Sequence, residues 1–134
     1  MPTSTTSTTS TLPSRAEGCT PGFWKNHLAA WIGYSSGATL ESVFDVPDSL
    51  GLDDSSLHAA LAFRGGNGLS GAAQILLRAA VAALLNASDP DIEYQLTTAQ
   101  VISQVNQALA SNDRSTMLVL ATQLDTFNNA GCPS

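Results

Sequence analysis

The two cysteines of this 134-residue chain constrain its fold more than any other feature. Cys19 follows Gly18, and Cys132 lies between Gly131 and Pro133, so that both have turn-forming neighbours. If they pair, they close a ring of about 113 residues, and the disulfide indicates an oxidising compartment. Two unrelated free thiols in a cytosolic protein are the alternative. The spacing favours a disulfide-closed domain in a secreted protein.

The segment before Cys19 has a different composition. Ten of the twelve residues at positions 3–14 are Ser or Thr, which is too polar to build a core. We therefore expect an extended Ser/Thr-rich tail or linker over residues 1–17 and one domain over residues 18–134. The tail has three possible roles: a flexible linker, a strand added to a neighbouring subunit, or a carrier of O-linked sugar. The candidate acceptors of that sugar are Thr5, Thr6, Thr8 and Thr9.

The charge pattern excludes some partners. The formal net charge is −6, only 12% of residues are charged, and the five Lys and Arg residues are scattered singly. Isolated basic residues do not form the continuous basic surface that binds a phosphate backbone, so we expect no nucleic acid partner. The composition also predicts no membrane span. Residues 1–3 show no basic and apolar leader, so we expect an export signal to have been removed or to lie upstream.

The remaining sequence has helical periodicity, which predicts an all-α domain of about five to six helices. In the first helix, Trp24, Leu28 and Trp31 would share a buried face, with Thr20 as N-cap and Pro21 at the first position. An alanine- and leucine-rich helix capped by Ser70 is apolar nearly all round, which predicts the central helix. The expected helices cover about residues 20–33, 40–44, 56–64, 70–85, 97–110 and 113–127, and Thr97 with Gln100 forms a capping box at the fifth.

Two end motifs carry a resemblance to a known module. The first is Cys-Thr-Pro-Gly-Phe-Trp-Lys-Asn-His at residues 19–27, and the second is Asn-Asn-Ala-Gly-Cys-Pro at residues 128–133. Over about residues 18–133 the chain resembles an uncharacterised module of secreted bacterial proteins with these two motifs. The resemblance implies secretion and a terminal disulfide, and it implies no activity. The motif residues inside the ring are Thr20, Pro21, Gly22, Trp24, Lys25, Asn26 and His27.

Catalytic residues are sparse. His27 or His58 with a carboxylate such as Asp54 could act as a general base. The sequence has no third cysteine, no Gly-x-Ser-x-Gly elbow and no His-x-x-x-His pair. We therefore expect a non-enzymatic protein in which Asn26 and His27 hydrogen-bond the chain ends beside the disulfide.

Two acidic groups are candidate calcium ligands. Asp89, Asp91 and Glu93 alternate like the start of a calcium loop, but the glycine and the bidentate acid of an EF-hand are missing. A second group lies in one loop, and aspartates before helices are also common as caps. No cofactor is expected, with calcium as a possibility. The second group is Asp45, Asp48, Asp53 and Asp54.

Two further motifs bear on surface chemistry. Asn86-Ala87-Ser88 is an N-glycosylation sequon. The aromatic residues Phe23, Trp24, Trp31 and Tyr34 would form either a sugar-stacking platform or part of the core.

Two function classes fit the sequence. The first is a structural subunit of a cell-surface assembly or filament that self-associates through the tail. The second is a monomeric module that binds a glycan or a surface protein on a flexible stalk.

Overall fold

Helices dominate residues 17–132, the part of the chain that the computed structural model describes. The α-helices are α1 (Pro21–Lys25), α2 (Leu57–Ala60), α3 (Gly68–Ser88), α4 (Thr98–Ala110) and α5 (Arg114–Asn128), with short 3-10 helices at Leu28–Ala30, Leu40–Ser42 and Asp48–Leu50. β structure in these residues is limited to two isolated bridges, Gly18 with Gly131 and Thr39 with Ser56. The all-α prediction is confirmed. Residues 1–16, where the tail and its candidate sugar acceptors lie, are outside the described residues.

The α3 helix is the centre of the domain, as its sequence predicts. It packs most extensively on α5, then on α4, and its other neighbours include α1 and α2. Leu76, Leu77 and Leu84 on α3 are completely buried, and so are its alanines at positions 72, 73, 79, 80, 82 and 83. Because apolar residues occur on every side of α3, it is stable only where neighbouring helices surround it.

The length and hydropathy of α3 would also allow it to cross a membrane. It has 21 residues, its most apolar window has a mean hydropathy of 1.6, and 67% of that window is buried inside the domain. Core helices of soluble proteins have these same properties. The expectation that the chain has no membrane span stays a prediction.

The helix starts show where local sequence decides structure. At α4 the Thr97 Oγ1 accepts a hydrogen bond from the Gln100 backbone N–H at 3.1 Å, and Gln100 Oε1 accepts one from the Thr97 N–H at 2.9 Å, which confirms the capping box. At α5 the Asp113 carboxylate accepts hydrogen bonds from the hydroxyl and the backbone N–H of Thr116. These bonds lower the pKa of Asp113.

The predicted cap of α3 at Ser70 is wrong. The helix begins at Gly68 with Asn67 as its N-cap, and the Ser70 hydroxyl instead donates to the Leu50 carbonyl oxygen at 3.2 Å. Within the first turn of this helix, Gly71 lies so close to the backbone of Gly66 that a Cβ there would collide with it. The turn that precedes α3 therefore packs on the first turn of the helix.

Two other expected helices are shorter in the structure. Residues 40–44 form only the 3-10 turn Leu40–Ser42, and the helix expected over 56–64 ends at Ala60. Both segments still contribute to the core, since Leu40, Phe44 and Leu57 are buried. The connection between α1 and α2 is therefore held by its buried apolar side chains and by backbone hydrogen bonds outside helices, such as those from Leu40 to Ser55 and from Leu57 to Ala38.

Candidate functional site

The disulfide joins the two ends of the described chain. The Cys19–Cys132 bond has an S–S length of 2.04 Å and a Cα–Cα distance of 4.5 Å, and residues 17–132 contain no free cysteine. Next to it, Gly18 and Gly131 exchange two backbone hydrogen bonds at 3.0 and 3.3 Å. A Cβ at Gly18 would collide with the Phe127 carbonyl oxygen, so only glycine fits there. The predicted pairing is confirmed, and we call this region the disulfide corner.

One asparagine holds the disulfide corner to the central helix. Asn86, fully buried near the end of α3, accepts through Oδ1 from the Cys19 N–H at 2.8 Å and from the Trp24 indole N–H at 3.1 Å. Its Nδ2 donates to the Cys19 carbonyl at 2.8 Å and to Asn128 Oδ1 at 3.1 Å. One side chain thus satisfies both backbone groups of the disulfide-bonded Cys19. A buried amide with four partners fixes the corner in one arrangement.

Asn128, at the end of α5, extends this network. Its Oδ1 also accepts from the Tyr94 hydroxyl at 2.6 Å, and its Nδ2 donates to the Ala79 carbonyl at 3.1 Å. Burial raises the pKa of Tyr94, and the negative charge of Asp125 raises it further, so the phenol keeps its proton. The two buried asparagines therefore connect α1, α3, α5 and the segment that contains Tyr94.

This burial overturns the glycosylation prediction at Asn86. The Asn86 side chain has no exposed surface, and its Nδ2 uses both hydrogens in hydrogen bonds. A glycan on Nδ2 would replace one of these hydrogens and has no space in this fold. The sequon is incidental to a structural asparagine.

The first predicted helix is also wrong in length, because side chains bind its last carbonyl groups. The α1 helix ends at Lys25, and the carbonyl oxygens of its last residues accept from side chains as well as from the backbone N–H groups of Asn26 and His27. The Trp24 carbonyl accepts from the Trp31 indole N–H at 3.0 Å, and the Phe23 carbonyl accepts from His27 Nδ1 at 2.7 Å. The remaining bonds run from Asn26 Nδ2 to the Gly22 carbonyl at 3.0 Å and from His58 Nε2 to the Lys25 carbonyl at 3.2 Å.

The Lys-Asn-His part of the motif is therefore a helix-ending device. Asn26 and His27 were expected to bond the chain ends, but they bond their own helix, and Asn86 with Asn128 holds the ends instead. His27 lies on the Phe23 ring, with centroids 4.2 Å apart and planes at 13°. Leu28 is 45% exposed because the chain leaves the helical path before it. Both histidines bond backbone carbonyls through one ring nitrogen, His27 through Nδ1 and His58 through Nε2.

Replacing His27 by alanine is expected to lower the free energy of unfolding by about 1 kcal/mol. The change removes the bond to the Phe23 carbonyl and the stacking on the Phe23 ring. Thermal or urea unfolding measures the loss. The exposed neighbour Lys25, replaced by alanine, is the matched control and should shift stability by less than about 0.5 kcal/mol. Equal effects of the two changes would contradict the capping role.

A cleft of about 400 Å³ opens beside the disulfide. Its lining includes the apolar side chains of Phe23, Ala30 and Ile92, the two disulfide-bonded cysteines, and the acidic residues Asp89 and Asp91. The Asp89 carboxylate accepts from the Asp91 backbone N–H at 2.9 Å, which fixes this turn. The cleft thus combines an apolar surface with negative charge.

The aromatic side chains of the motif divide between core and cleft. Trp24 is 1% exposed and packs edge-to-face on Phe23, with centroids 5.0 Å apart. Trp31 is half-buried and its indole is used in capping α1. Trp24 is therefore a core residue, and Phe23 is the half-exposed ring that borders the cleft. A four-ring stacking platform is not formed.

The two predicted acidic groups differ in geometry. Within residues 17–132, Asp89, Asp91 and Glu93 do not bring three ligand oxygens together, and Glu93 instead takes part in backbone contacts with Glu17. Glu41, Asp48 and Asp53 do place three carboxylate oxygens within 4.8 Å of one another. Glu41 was missed in the sequence because it lies outside the loop that contains the aspartates. These three side chains are where a divalent cation could bind, and calcium binding stays a prediction.

The same cluster predicts a pH effect on stability. The pKa of Glu41 is raised above its ordinary 4.5, mainly by a hydrogen bond with Asp53 and further by lost hydration and the neighbouring carboxylates. A raised folded-state pKa contributes stability below pH 4.5, and this contribution is lost as the pH rises through the raised pKa. Replacing Glu41 by glutamine should remove this loss, so that the variant gains stability relative to the parent above pH 4.5.

Urea unfolding between acidic and neutral pH measures this effect. Asp45, an exposed acid outside the cluster, is the control when replaced by asparagine. A parallel pH dependence of the parent and the Glu41→Gln variant would contradict the prediction.

Comparison with protein-family models, curated proteins and solved structures finds no match.

Proposed function

We propose that this protein is a non-enzymatic extracellular structural protein, a subunit of a cell-surface assembly or filament whose Ser/Thr-rich tail contacts a neighbouring subunit. The observation that carries this proposal is the disulfide corner. The chain enters the domain at Cys19 and leaves it at Cys132, and these residues are covalently bonded. A pulling force between the two ends passes through the disulfide and does not load the helices between them.

The internal hydrogen bonding supports the same role. Asn86 and Asn128 hold the disulfide corner to α3 and α5 without a charged group. The tail begins next to this anchored point, since the Glu17 N–H bonds the Glu93 carbonyl at 3.2 Å. A force or contact on the tail therefore reaches the most strongly connected part of the domain. This suits a protein that transmits load between copies.

The chemistry of the surface favours assembly over catalysis. The histidines bond backbone carbonyls, and the low content of charged residues reduces repulsion between copies. A disulfide is typical of extracellular proteins, which agrees with secretion. Repeated head-to-tail contacts between identical copies would build an open polymer.

Electron microscopy of the secreted chain tests the proposal. We expect filaments or regular oligomers from the full chain, and monodisperse particles after residues 2–16 are deleted. A chain in which residues 2–16 are replaced by an equally long Gly/Ser linker separates the effect of tail sequence from that of tail length. Single particles from the full chain at all protein, salt and calcium concentrations would overturn the proposal.

The second candidate function is a monomeric adhesion module for a glycan or a surface protein. The observation that favours it is the cleft, where the half-exposed Phe23 ring lies near the carboxylates of Asp89 and Asp91. Sugars are commonly held by an aromatic face and by carboxylates that accept hydroxyl hydrogens. A glycan array with the full chain tests this, and binding that survives tail deletion would favour adhesion over assembly.

A further inference from the structure

We propose that Asn67 is a site of spontaneous deamidation, where water slowly converts the side-chain amide to a carboxylate without an enzyme. Asn67 is the only one of the seven asparagines in the chain that is followed by glycine. Asparagine is a thermolabile residue type, and a glycine after it leaves the backbone nitrogen open to its side chain because glycine has no Cβ. The reaction needs only water, so it would occur whether the protein assembles or stays monomeric.

The reaction passes through a cyclic imide. The backbone nitrogen of Gly68 loses its proton and attacks the side-chain carbonyl carbon of Asn67. The carbon–nitrogen bond of the side-chain amide breaks, and ammonia leaves with a proton in place of the one that Gly68 gave up. Water then opens the imide at either carbonyl carbon. One opening gives aspartate at position 67, and the other gives isoaspartate, which lengthens the backbone by one carbon.

The Asn67 side chain is available for this reaction. Asn67 and Gly68 are both exposed to solvent. Asn67 is the N-cap of α3, but its side chain accepts no capping hydrogen bond from the helix, unlike the side chain of Asp113 at the start of α5. Ring closure at Asn67 therefore breaks no bond between its side chain and the first turn of α3.

The attacking nitrogen of Gly68 is available as well. Gly68 is the first residue of α3, and the N–H groups of the first turn of a helix have no carbonyl partner within that helix. The positive end of the helix dipole lies here, and it stabilises the negative charge on a nitrogen that has lost its proton. A Cβ built at Gly68 would meet no other atom within 4 Å, so the surrounding structure leaves this position open.

The turn also allows the rotation that ring closure needs. Asn67 has a ψ of 160°, and it has to rotate to bring its side-chain carbon to the Gly68 nitrogen. Gly65, Gly66 and Gly68 all have positive φ values, and glycine moves between backbone regions at the lowest steric cost. Three glycines around one asparagine therefore make this rotation easier than it would be inside a helix.

Deamidation places a carboxylate where this fold stabilises one. Position 67 lies at the N-terminus of α3, where negative charge is favoured, and aspartate is as good an N-cap as asparagine. Arg114 adds a positive charge to this turn, because its Nη1 donates to the carbonyl oxygens of Gly66 and Gly68 at 3.0 and 2.6 Å. We expect Asn67→Asp to raise the midpoint of thermal unfolding by about 1–5 °C.

Incubation of the full chain in buffer, followed by peptide mapping with mass spectrometry, tests the proposal. The peptide that contains Asn67 should gain the mass difference between an amide and a carboxylic acid. The gain should be faster at mildly alkaline pH than at neutral pH, because Gly68 must lose a proton. Asn112 is the control within the same molecule, since it is exposed and has a positive φ but is followed by Asp113. Its mass should stay unchanged while Asn67 converts.

Two variants separate the chemistry at Asn67 from the stability of the fold. Asn67→Gln should abolish the mass gain, because the longer side chain would have to close a larger and less favourable ring. Gly68→Ala should slow the gain, because a Cβ hinders the attack of the backbone nitrogen. Circular dichroism checks that each variant is folded, which matters most for Gly68→Ala because alanine is strained at a positive φ.

Conversion at Asn67 in the folded chain, with loss of the mass gain in Asn67→Gln, supports the proposal. An unchanged Asn67 in the folded chain would overturn it. The same incubation of the chain in urea then shows whether the fold protects this residue. Conversion of Asn112 before Asn67 would also contradict the assignment, because the glycine that follows Asn67 would then not decide where the reaction occurs.

Discussion

Replacing both cysteines by serine, as Cys19→Ser with Cys132→Ser, is expected to lower the free energy of unfolding by about 4–5 kcal/mol. The bond closes a ring across a sequence separation of 113 residues, and in the chain-entropy picture a loop of this size restricts the unfolded chain strongly. The midpoint of thermal unfolding should fall by roughly 10–25 °C. Circular dichroism with and without a reducing agent measures both effects.

The same experiment separates the covalent bond from the hydrogen bonds around it. Reduced and alkylated parent protein should unfold near the double serine variant, because both lack the ring. The double variant should give the same unfolding curve with and without reductant. A loss below about 1 kcal/mol would show that Asn86 and its partners hold the corner without the disulfide.

Replacing Asn86 by alanine is expected to lower the free energy of unfolding by about 4 kcal/mol or more. A loss of this size should unfold the variant at low urea concentrations or modestly raised temperature. The change leaves the N–H and carbonyl of Cys19 and the indole N–H of Trp24 buried without their partner. Each such group costs about 1–3 kcal/mol. A cavity at the end of α3 adds to the loss.

Asn129 provides the matched control for Asn86. Asn129 is exposed and makes one side-chain bond, from Nδ2 to the Asp125 carbonyl at 2.7 Å, so its replacement by alanine should cost about 1 kcal/mol or less. Urea unfolding of both variants gives the comparison. Asn86→Asp is informative as well, because it keeps the acceptor atom and loses the donors. Similar losses in the free energy of unfolding for the Asn86→Ala and Asn129→Ala variants would contradict the role of Asn86 in holding the disulfide corner to α3.

The elements that local sequence determines were predictable. Thr97 and Gln100 form their capping box because both partners lie within one helical turn. The centre of the domain was also predictable, since a long helix of alanine and leucine needs cover on all sides. The pairing of Cys19 with Cys132 could be inferred because the two cysteines are the only ones in the chain.

The roles of individual polar residues were harder to predict. Asn86 has the pattern of a sequon, and only its position within an apolar run indicates that it is buried. The end of α1 depends on His58, which is 33 positions from Lys25 in the sequence. The acidic cluster likewise depends on a loop that brings Asp53 back beside Glu41, where the Glu41 N–H donates to the Asp53 carbonyl oxygen. Long-range contacts of this kind leave no periodic pattern.

The closed ring has a further consequence outside a cell, where proteases are abundant. A single cut anywhere between Cys19 and Cys132 opens the ring and leaves every residue attached to one molecule through the disulfide. The long connection between α1 and α2 is an accessible place for such a cut, with exposed residues such as Asp45 and Asp54. A chain nicked within the ring would therefore stay in one piece, and two cuts between Cys19 and Cys132 would be needed before any part of the ring could be lost.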